Sequence, residues 1–467
     1  MAIPLPPHGP LMNYDWRRAA PRGPELETEF ITGSAGTGKT YEVQRRKVAD
    51  PEGVVLSATT GIAGVNLGPD VKTINSLLRF YNYRSLADAH ASGRLQRGIR
   101  KLVDSGMREL VIDEISMFSA LHLDVLYNAF REVSLERPGI KVTIAGDFAQ
   151  LRPIPDRESP GTERYAFDAE CWRPHFSENS MRLTRIWRQE NEEYLGALHA
   201  ARRGAGDEAL AHLQSAGVRF EPRLSDEFEG TTLIAINEEV DDYNLRRLRL
   251  FPGDNARVPV ARSTRWTLDG REQEWSSIPN PFLFKAGAYV MLLSNSAGWV
   301  NGDCGTVVRG TIAGTEDDYL GVRLKRNNNE VRVQKIIRER TTRSRPTVPD
   351  ADILVFRTRA DYDARVRENG GEPLRQVVML QEPHPEWITG WIRYFPLRLA
   401  YATTVHKSQG LSLDAIQLDL RSNFLASPAM MYVALSRCRT PEGLVLVGTP
   451  DQVVAKTCID PRVTEWL

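Results

Sequence analysis

Gly33-Ser34-Ala35-Gly36-Thr37-Gly38-Lys39-Thr40 fits the phosphate-binding loop pattern G-x-x-x-x-G-K-[ST] at every position. Such a loop joins a buried strand to a helix, so reading it correctly decides the fold. Glycines let backbone N–H groups wrap a polyphosphate without Cβ clashes. Lys39 supplies a point charge to the outer phosphates, and the Thr40 hydroxyl can complete the shell of a Mg²⁺ ion. A helix should begin at the end of the loop and turn its positive end toward the anion. The preceding strand, Glu29-Phe30-Ile31-Thr32, reads as short. The bland alternative is a Gly/Ser/Thr loop with no ligand, and the complete match weighs against it. The loop points to a nucleoside triphosphate.

Working outward, Gly53-Val54-Val55-Leu56-Ser57 is a candidate buried parallel strand, with Thr59-Thr60-Gly61 at its carboxyl end. Leu110-Val111-Ile112-Asp113-Glu114 is a strand that delivers two carboxylates, one suited to a metal and the other to an attacking water. Alone it could be an ordinary strand end; after a phosphate loop it gains meaning. Lys141-Val142-Thr143-Ile144-Ala145-Gly146-Asp147 leads into Phe148-Ala149-Gln150-Leu151. Alternating strands and helices predict a doubly wound parallel sheet over residues 1–178. The more polar, arginine-rich stretch 78–105 reads as an excursion from it.

Thr231-Thr232-Leu233-Ile234-Ala235-Ile236, Ala415-Ile416-Gln417-Leu418-Asp419 and Gly443-Leu444-Val445-Leu446-Val447 predict a second parallel sheet, drawn from 179–255 and 397–467. Between them, 256–396 carries short alternating runs and turn signals such as Asn301-Gly302, which predicts an inserted β domain. Within it, Arg323, Lys325, Arg326, Arg332, Lys335, Arg338, Arg340, Arg343 and Arg345 face only Glu330 and Glu339. A solvated hairpin and a nucleic-acid contact both account for that stretch.

Sixty basic residues balance sixty acidic ones, so no global field draws the chain to a polyanion, and any such site must be local. No apolar run approaches the length of a membrane span, and the start is Pro-rich rather than signal-like. Cys171, Cys304, Cys438 and Cys458 have no metal-ligand spacing and read as reduced thiols of a cytoplasmic protein.

Three further stretches carry a resemblance. They are Leu183-Thr184-Arg185-Ile186-Trp187-Arg188-Gln189, then Tyr401-Ala402-Thr403-Thr404-Val405-His406-Lys407-Ser408-Gln409-Gly410-Leu411, and Tyr432-Val433-Ala434-Leu435-Ser436-Arg437. With the loop, the Asp-Glu strand and the Gln150 segment in order, the chain resembles the Pif/RecD-like (Dda-like) branch of superfamily 1 DNA helicases. Gly287-Ala288-Tyr289-Val290-Met291-Leu292 and the run from Val300 to Val307 resemble the small β-barrel of that branch.

The resemblance implies two RecA-like lobes with ATP between them, the inserted barrel, and a strand-separating pin in 78–105. It implies a monomer that moves 5′ to 3′ on single-stranded DNA and meets junctions with duplex and single-strand-binding or replication proteins. By the same resemblance, Gly33, Ser34, Ala35, Gly36, Thr37, Gly38, Lys39 and Thr40 hold the phosphates, with Thr40 and Asp113 on Mg²⁺. Glu114 is then the catalytic base, Gln150 places the water, Arg188 and Arg437 are arginine fingers, and Gln409 and Gly410 touch the nucleotide. Thr59, Thr60, Asn75, His406 and Ser408 lie along the DNA.

Each role has a plainer counterpart. Arg188 can pair with Glu190 or Glu193, and Arg437 can cap a buried helix. His406 can be a core histidine, Asp147 a turn residue, and Trp187, Trp299 and Trp391 packing residues. Two departures stand out: no glutamine-containing, adenine-reading segment precedes Thr32, and Asn75 occupies a usual histidine position. ATP preference over other NTPs is therefore open. Rival functions are a translocase that strips proteins without unwinding and an ATP-gated DNA clamp. A relaxase-linked helicase would need a His-hydrophobic-His cluster, which the eight histidines do not form.

Overall fold

Strand β1 spans Glu27–Gly33, longer than the four residues expected, because an ion network lets polar residues stay in the sheet. Glu29 accepts from Arg46 Nη2 at 2.7 Å and from Lys141 Nζ at 2.5 Å. Arg46 Nη1 also donates to Glu109 Oε1 at 2.9 Å. The computed structural model describes residues 26–467 except 69–70, 157–158, 251–259, 262–263, 268–281, 295, 297, 300–302, 312–317, 326, 343–353, 370–373, 375–376 and 380–385. The N-terminal arm with the segment scanned for an adenine-reading glutamine, the Asn301-Gly302 turn, and Arg326, Arg343 and Arg345 lie outside the described residues.

Five more strands join β1: β2 (Val54–Ala58), β3 (Lys72–Thr73), β4 (Glu109–Asp113), β5 (Lys141–Gly146) and β6 (Ser180–Leu183). The spatial order is β3-β2-β4-β5-β1-β6, with every neighbour parallel. This sheet runs past residue 178. The carboxyl ends of β1, β2, β4 and β5 share one edge, with Ala58 beside Asp113 and Thr32 beside Gly146. Ligands bind open α/β sheets along that kind of edge.

Helices α1 (Lys39–Ala49), α2 (Gly61–Leu67), α3 (Ile74–Leu78), α4 (Tyr83–Ala91), α5 (Arg94–Asp104) and α6 (Ala120–Glu136) connect these strands. The stretch 78–105 is largely α4 and α5. Most of its polar residues face out, although Gln96 is buried and donates to Glu132 of α6 at 2.7 Å, while Leu86, Ala89, Leu95 and Ile99 are buried in the same core as Leu123, Leu126 and Phe130 of α6. Asn82 and Ser85 close a capping box that starts α4. Aromatic contacts fill the core under β1, with Phe30 and Trp172 centroids 4.9 Å apart and near-perpendicular.

The chain continues through α7 (Glu192–Arg203), α8 (Gly206–Ser215), β7 (Arg219–Glu221) and β8 (Thr231–Ile234). The second sheet has the order Ala402–Thr404, β8, Ile416–Asp419, Leu444–Val447, β7. Ile416–Asp419 is parallel to β8 and Leu444–Val447, which is parallel to β7. Residues 1–240 and 403–467 form one compact unit and 241–402 another.

The second unit holds a five-stranded antiparallel sheet in the order Glu330–Gln334, Tyr319–Leu324, Cys304–Thr311, Tyr289–Leu292, Leu397–Leu399. Trp299 and Trp391 are buried there, as packing residues. Part of the basic stretch is used internally: Lys335 pairs with Asp318 at 2.9 Å, and the Arg332 guanidinium lies over Tyr319. Among the described residues no helix is long and apolar enough to cross a membrane.

Hydrogen bonds from Arg46, and behind them Lys141, hold the Glu29 carboxyl down at about 2 against the upward push of burial. A carboxyl lowered in the fold stabilises above its ordinary value and loses that contribution as pH falls through the lowered one. The denaturant midpoint should therefore drop between about pH 4.5 and about pH 2. Glu29→Gln should flatten that slope; an acid titration followed by circular dichroism checks it.

Candidate active site

The phosphate loop leaves β1 and turns into α1. Gly38 caps the helix at φ 88°. Gly36, at φ 83°, lies so close to the chain that a Cβ there would meet Arg188 Cβ at 2.8 Å. Its carbonyl accepts from the Trp187 N–H at 2.8 Å, so the loop is pinned to the segment carrying Arg188. Lys39 Nζ donates to the Gly33 and Ser34 carbonyls at 2.7 and 3.0 Å. Burial lowers its pKa, opposed by Asp147, Glu114 and Asp113.

At the end of β4, Asp113 Oδ2 accepts from Thr40 Oγ1 at 3.3 Å and Oδ1 from the Glu114 N–H at 2.8 Å. Burial, then the charge of Glu114, push the Asp113 carboxyl up to about 7. A buried carboxylate short of positive charge beside a hydroxyl is a hard-oxygen donor set, and these residues fit a divalent cation. Glu114 takes a left-handed conformation, φ 59°, and its Oε2 accepts from Gln409 Nε2 at 2.9 Å. Gln150 is buried, and its Oε1 has no protein partner.

Two arginines complete the wall. Arg188, on the connection between β6 and α7, donates to the Ser436 carbonyl at 3.1 Å and not to Glu190 or Glu193. Arg437 follows the buried helix Met430–Leu435 and donates Nε to the Val433 carbonyl at 2.9 Å and Nη2 to Ser436 Oγ at 2.7 Å. It therefore caps that helix and lines the cavity at once. Burial, then the neighbouring Arg188 charge, lower Arg437 to about 10, and burial lowers Arg188. Two partly desolvated guanidiniums side by side form a receptor for an anion. With Lys39, Thr40, Asp113, Glu114, Gln150 and Gly410 they line a cavity of about 400 Å³.

The polynucleotide candidates are less uniform. Thr59 and Thr60 sit beyond β2; the Thr59 hydroxyl donates to the Glu114 carbonyl at 2.8 Å, and Thr60 Oγ1 accepts from the Ala63 N–H. Asn75 Nδ2 reaches the Tyr81 carbonyl at 3.5 Å, and His406 is exposed. Ser408 is fully buried and donates to the Val405 carbonyl at 2.8 Å, so its side chain is spent inside the fold.

Some members of the site were not legible in the sequence. Tyr432 OH accepts from the Ala35 N–H at 2.7 Å and donates to Asp147 Oδ2 at 2.9 Å. Asp147, fully buried, also pairs with Arg202 at 2.9 Å. Burial raises its carboxyl, but Arg202 and Lys39 together outweigh that. Asp147 is thus a structural anchor. Asn66 Nδ2 holds the Gly410 carbonyl at 3.0 Å, and Ser412 and Arg439 join the wall. The one available signal was a tyrosine inside an otherwise apolar helix, since a buried phenol needs a partner. Trp187, expected to pack, is 62% exposed and lines the cavity under Arg185.

The family model described as PIF1-like helicase matches residues 24–199. The human ATP-dependent DNA helicase PIF1 is 30% identical, over 94% of this chain and 60% of its own length. The ATP-dependent DNA helicase Pif1 of Bdellovibrio bacteriovorus is 29% identical, over 94% of this chain and 88% of its own. The chain therefore spans about three fifths of the human relative but most of the bacterial one. Among solved structures, Bacteroides Pif1 bound to single-stranded DNA superposes with a TM-score of 0.65 and 25% identity, covering 93% of this chain and 91% of that one. The two-sheet α/β architecture is that of these helicases.

Tyr432→Phe removes a hydroxyl that serves two buried groups, so it should destabilise the fold by about 1–3 kcal/mol. Denaturant unfolding with an unchanged m-value checks it.

Proposed function

We propose, on the premise that this chain belongs to the PIF1-like helicase family, that it is an ATP-driven helicase that moves 5′ to 3′ along single-stranded DNA and opens duplex ahead of it. One observation carries the reading. Lys39, Asp113, Glu114 and Gln150, from the edge of the first sheet, and Arg188 and Arg437, from segments packed with the second, line one cavity. The two sheets are the two RecA-like lobes, with the first running through β6 to Leu183 and the inserted β domain near 256–396. Work on cellular DNA with free thiols such as Cys438 and Cys458 fits a cytoplasmic setting.

The roles follow from position. The loop N–H groups and Lys39 bind the phosphates of ATP, and Mg²⁺, held by Thr40 and Asp113, would neutralise charge on the β- and γ-phosphates. Glu114 orients and deprotonates the attacking water, with Gln150 at its side. Arg188 and Arg437 stabilise charge on the transferred phosphoryl group, and a finger of this kind is worth about 10³–10⁵ in rate. Gln409 and Gly410 border the nucleotide. Because Arg188 and Arg437 belong with the second lobe, rapid hydrolysis requires the lobes to be drawn together, and release relaxes them. Thr59, Thr60, Asn75 and His406 hold the DNA backbone, so that cycle becomes a step along it. Contacts to phosphates make the grip sequence-independent and salt-sensitive.

Lys39→Ala should abolish ATP hydrolysis and forked-duplex unwinding, and unchanged turnover would overturn the phosphate-loop assignment. Glu114→Gln should bind ATP and oligonucleotide while turnover falls by about 10² or more, as general-base loss does. Arg437→Ala should cost about 10³ in DNA-stimulated turnover, with nucleotide affinity by fluorescence titration showing that the fold survives. Wild-type protein that displaces streptavidin from an oligonucleotide but leaves a fork closed would instead be a translocase.

A further inference from the structure

β2 and β4 are parallel neighbours with Ala58 beside Asp113, so Thr59 meets the backbone that bears Glu114. Thr59 holds that backbone twice. Its N–H donates to the Asp113 carbonyl at 3.1 Å, and its hydroxyl to the Glu114 carbonyl at 2.8 Å. Glu114 stands at φ 59°, a left-handed conformation that a residue with a Cβ keeps only where its neighbours impose it. On the other side, Gln409 Nε2 holds the carboxylate at 2.9 Å. The same amide leaves its buried Oε1 without a protein partner, so this grip is only half satisfied.

A threonine hydroxyl carries one proton, and phosphodiester oxygens only accept. A DNA phosphate that takes a hydrogen bond from Thr59 must therefore take it away from the Glu114 carbonyl. Thr60 faces no such choice, because its oxygen accepts from the Ala63 N–H and its proton remains to give.

We propose that Thr59 is a positioning residue through which bound single-stranded DNA switches on hydrolysis: its one proton passes from the Glu114 carbonyl to a backbone phosphate. Glu114 then keeps only the weaker Met117 N–H bond, 3.2 Å, at its carbonyl, its backbone relaxes, and its carboxylate leaves Gln409 for the attacking water. Gln409 adjoins the short turn His406–Ser408, whose exposed His406 is the proposed contact to the same polymer, so DNA would act on this carboxylate from both flanks. The inference rests on the helicase reading and specifies how DNA reaches the chemistry.

The test compares Thr59→Val, which keeps shape and loses the hydroxyl, with Thr59→Ser, which keeps the hydroxyl. Turnover is read at saturating ATP with and without saturating oligo-dT, alongside oligo-dT affinity by anisotropy and the KM for ATP. The ratio of stimulated to unstimulated kcat should fall about tenfold in Thr59→Val and return to within about twofold of wild type in Thr59→Ser, while KM moves less than about threefold. A wild-type ratio in Thr59→Val, or equal loss in both variants, overturns the inference while the helicase reading stands. Absence of stimulation in the wild-type protein overturns that reading and this inference with it.

Discussion

One phenol oxygen holds the phosphate loop in register with the rest of its compact unit. Tyr432 rises from the helix Met430–Leu435, receives the Ala35 N–H of the loop and gives its own proton to Asp147, which Arg202 neutralises. Ala35, Ala149 and Leu151 pack in the same apolar core as that helix, α7 and the strands of the second sheet. A buried polar chain inside an apolar core is costly unless every member is paired. Here the Tyr432 hydroxyl and the Asp147 carboxylate find their partners only when loop, β5 and helix stand in one arrangement, while Arg202 Nε stays unpartnered. That constraint fixes where Lys39 and Arg437 point.

The electrostatics of the cavity follow from that arrangement. Arg188 and Arg437 are partly stripped of water and repel one another, and Lys39 leans on its own loop's carbonyls. Asp113 is starved of positive charge in the same small volume. On the proposed reading, a magnesium–polyphosphate would cancel each imbalance. Unsatisfied charge held in place before a ligand arrives is how preorganised sites lower a barrier without reorganising.

Much of this was legible in the sequence because it rests on short, strict patterns. The eight residues from Gly33 to Thr40, the Asp113-Glu114 strand end and the apolar runs at Val54, Lys141, Thr231, Ala415 and Gly443 all form the expected kind of element. Long-range pairing was less legible. β1 read as starting at Glu29, yet it extends back to Glu27 because its pairing with β5, Glu27 beside Lys141 and Thr28 beside Val142, is set across the chain. The stretch 78–105 read as an excursion because its charges outnumber four well-spaced apolar residues that bury against α6. The resemblance placed Ser408 along the DNA because its neighbours match a motif, yet its hydroxyl is consumed one turn back. Tertiary partners decide such cases, and a linear pattern does not name them.

The chain departs the first unit after β8 and rejoins it at Ala402–Thr404, the neighbouring rung of the same sheet. Among the described residues, the wall of the cavity draws nothing from 241–402. Changes of length confined to 241–402 therefore leave untouched every residue that lines the cavity.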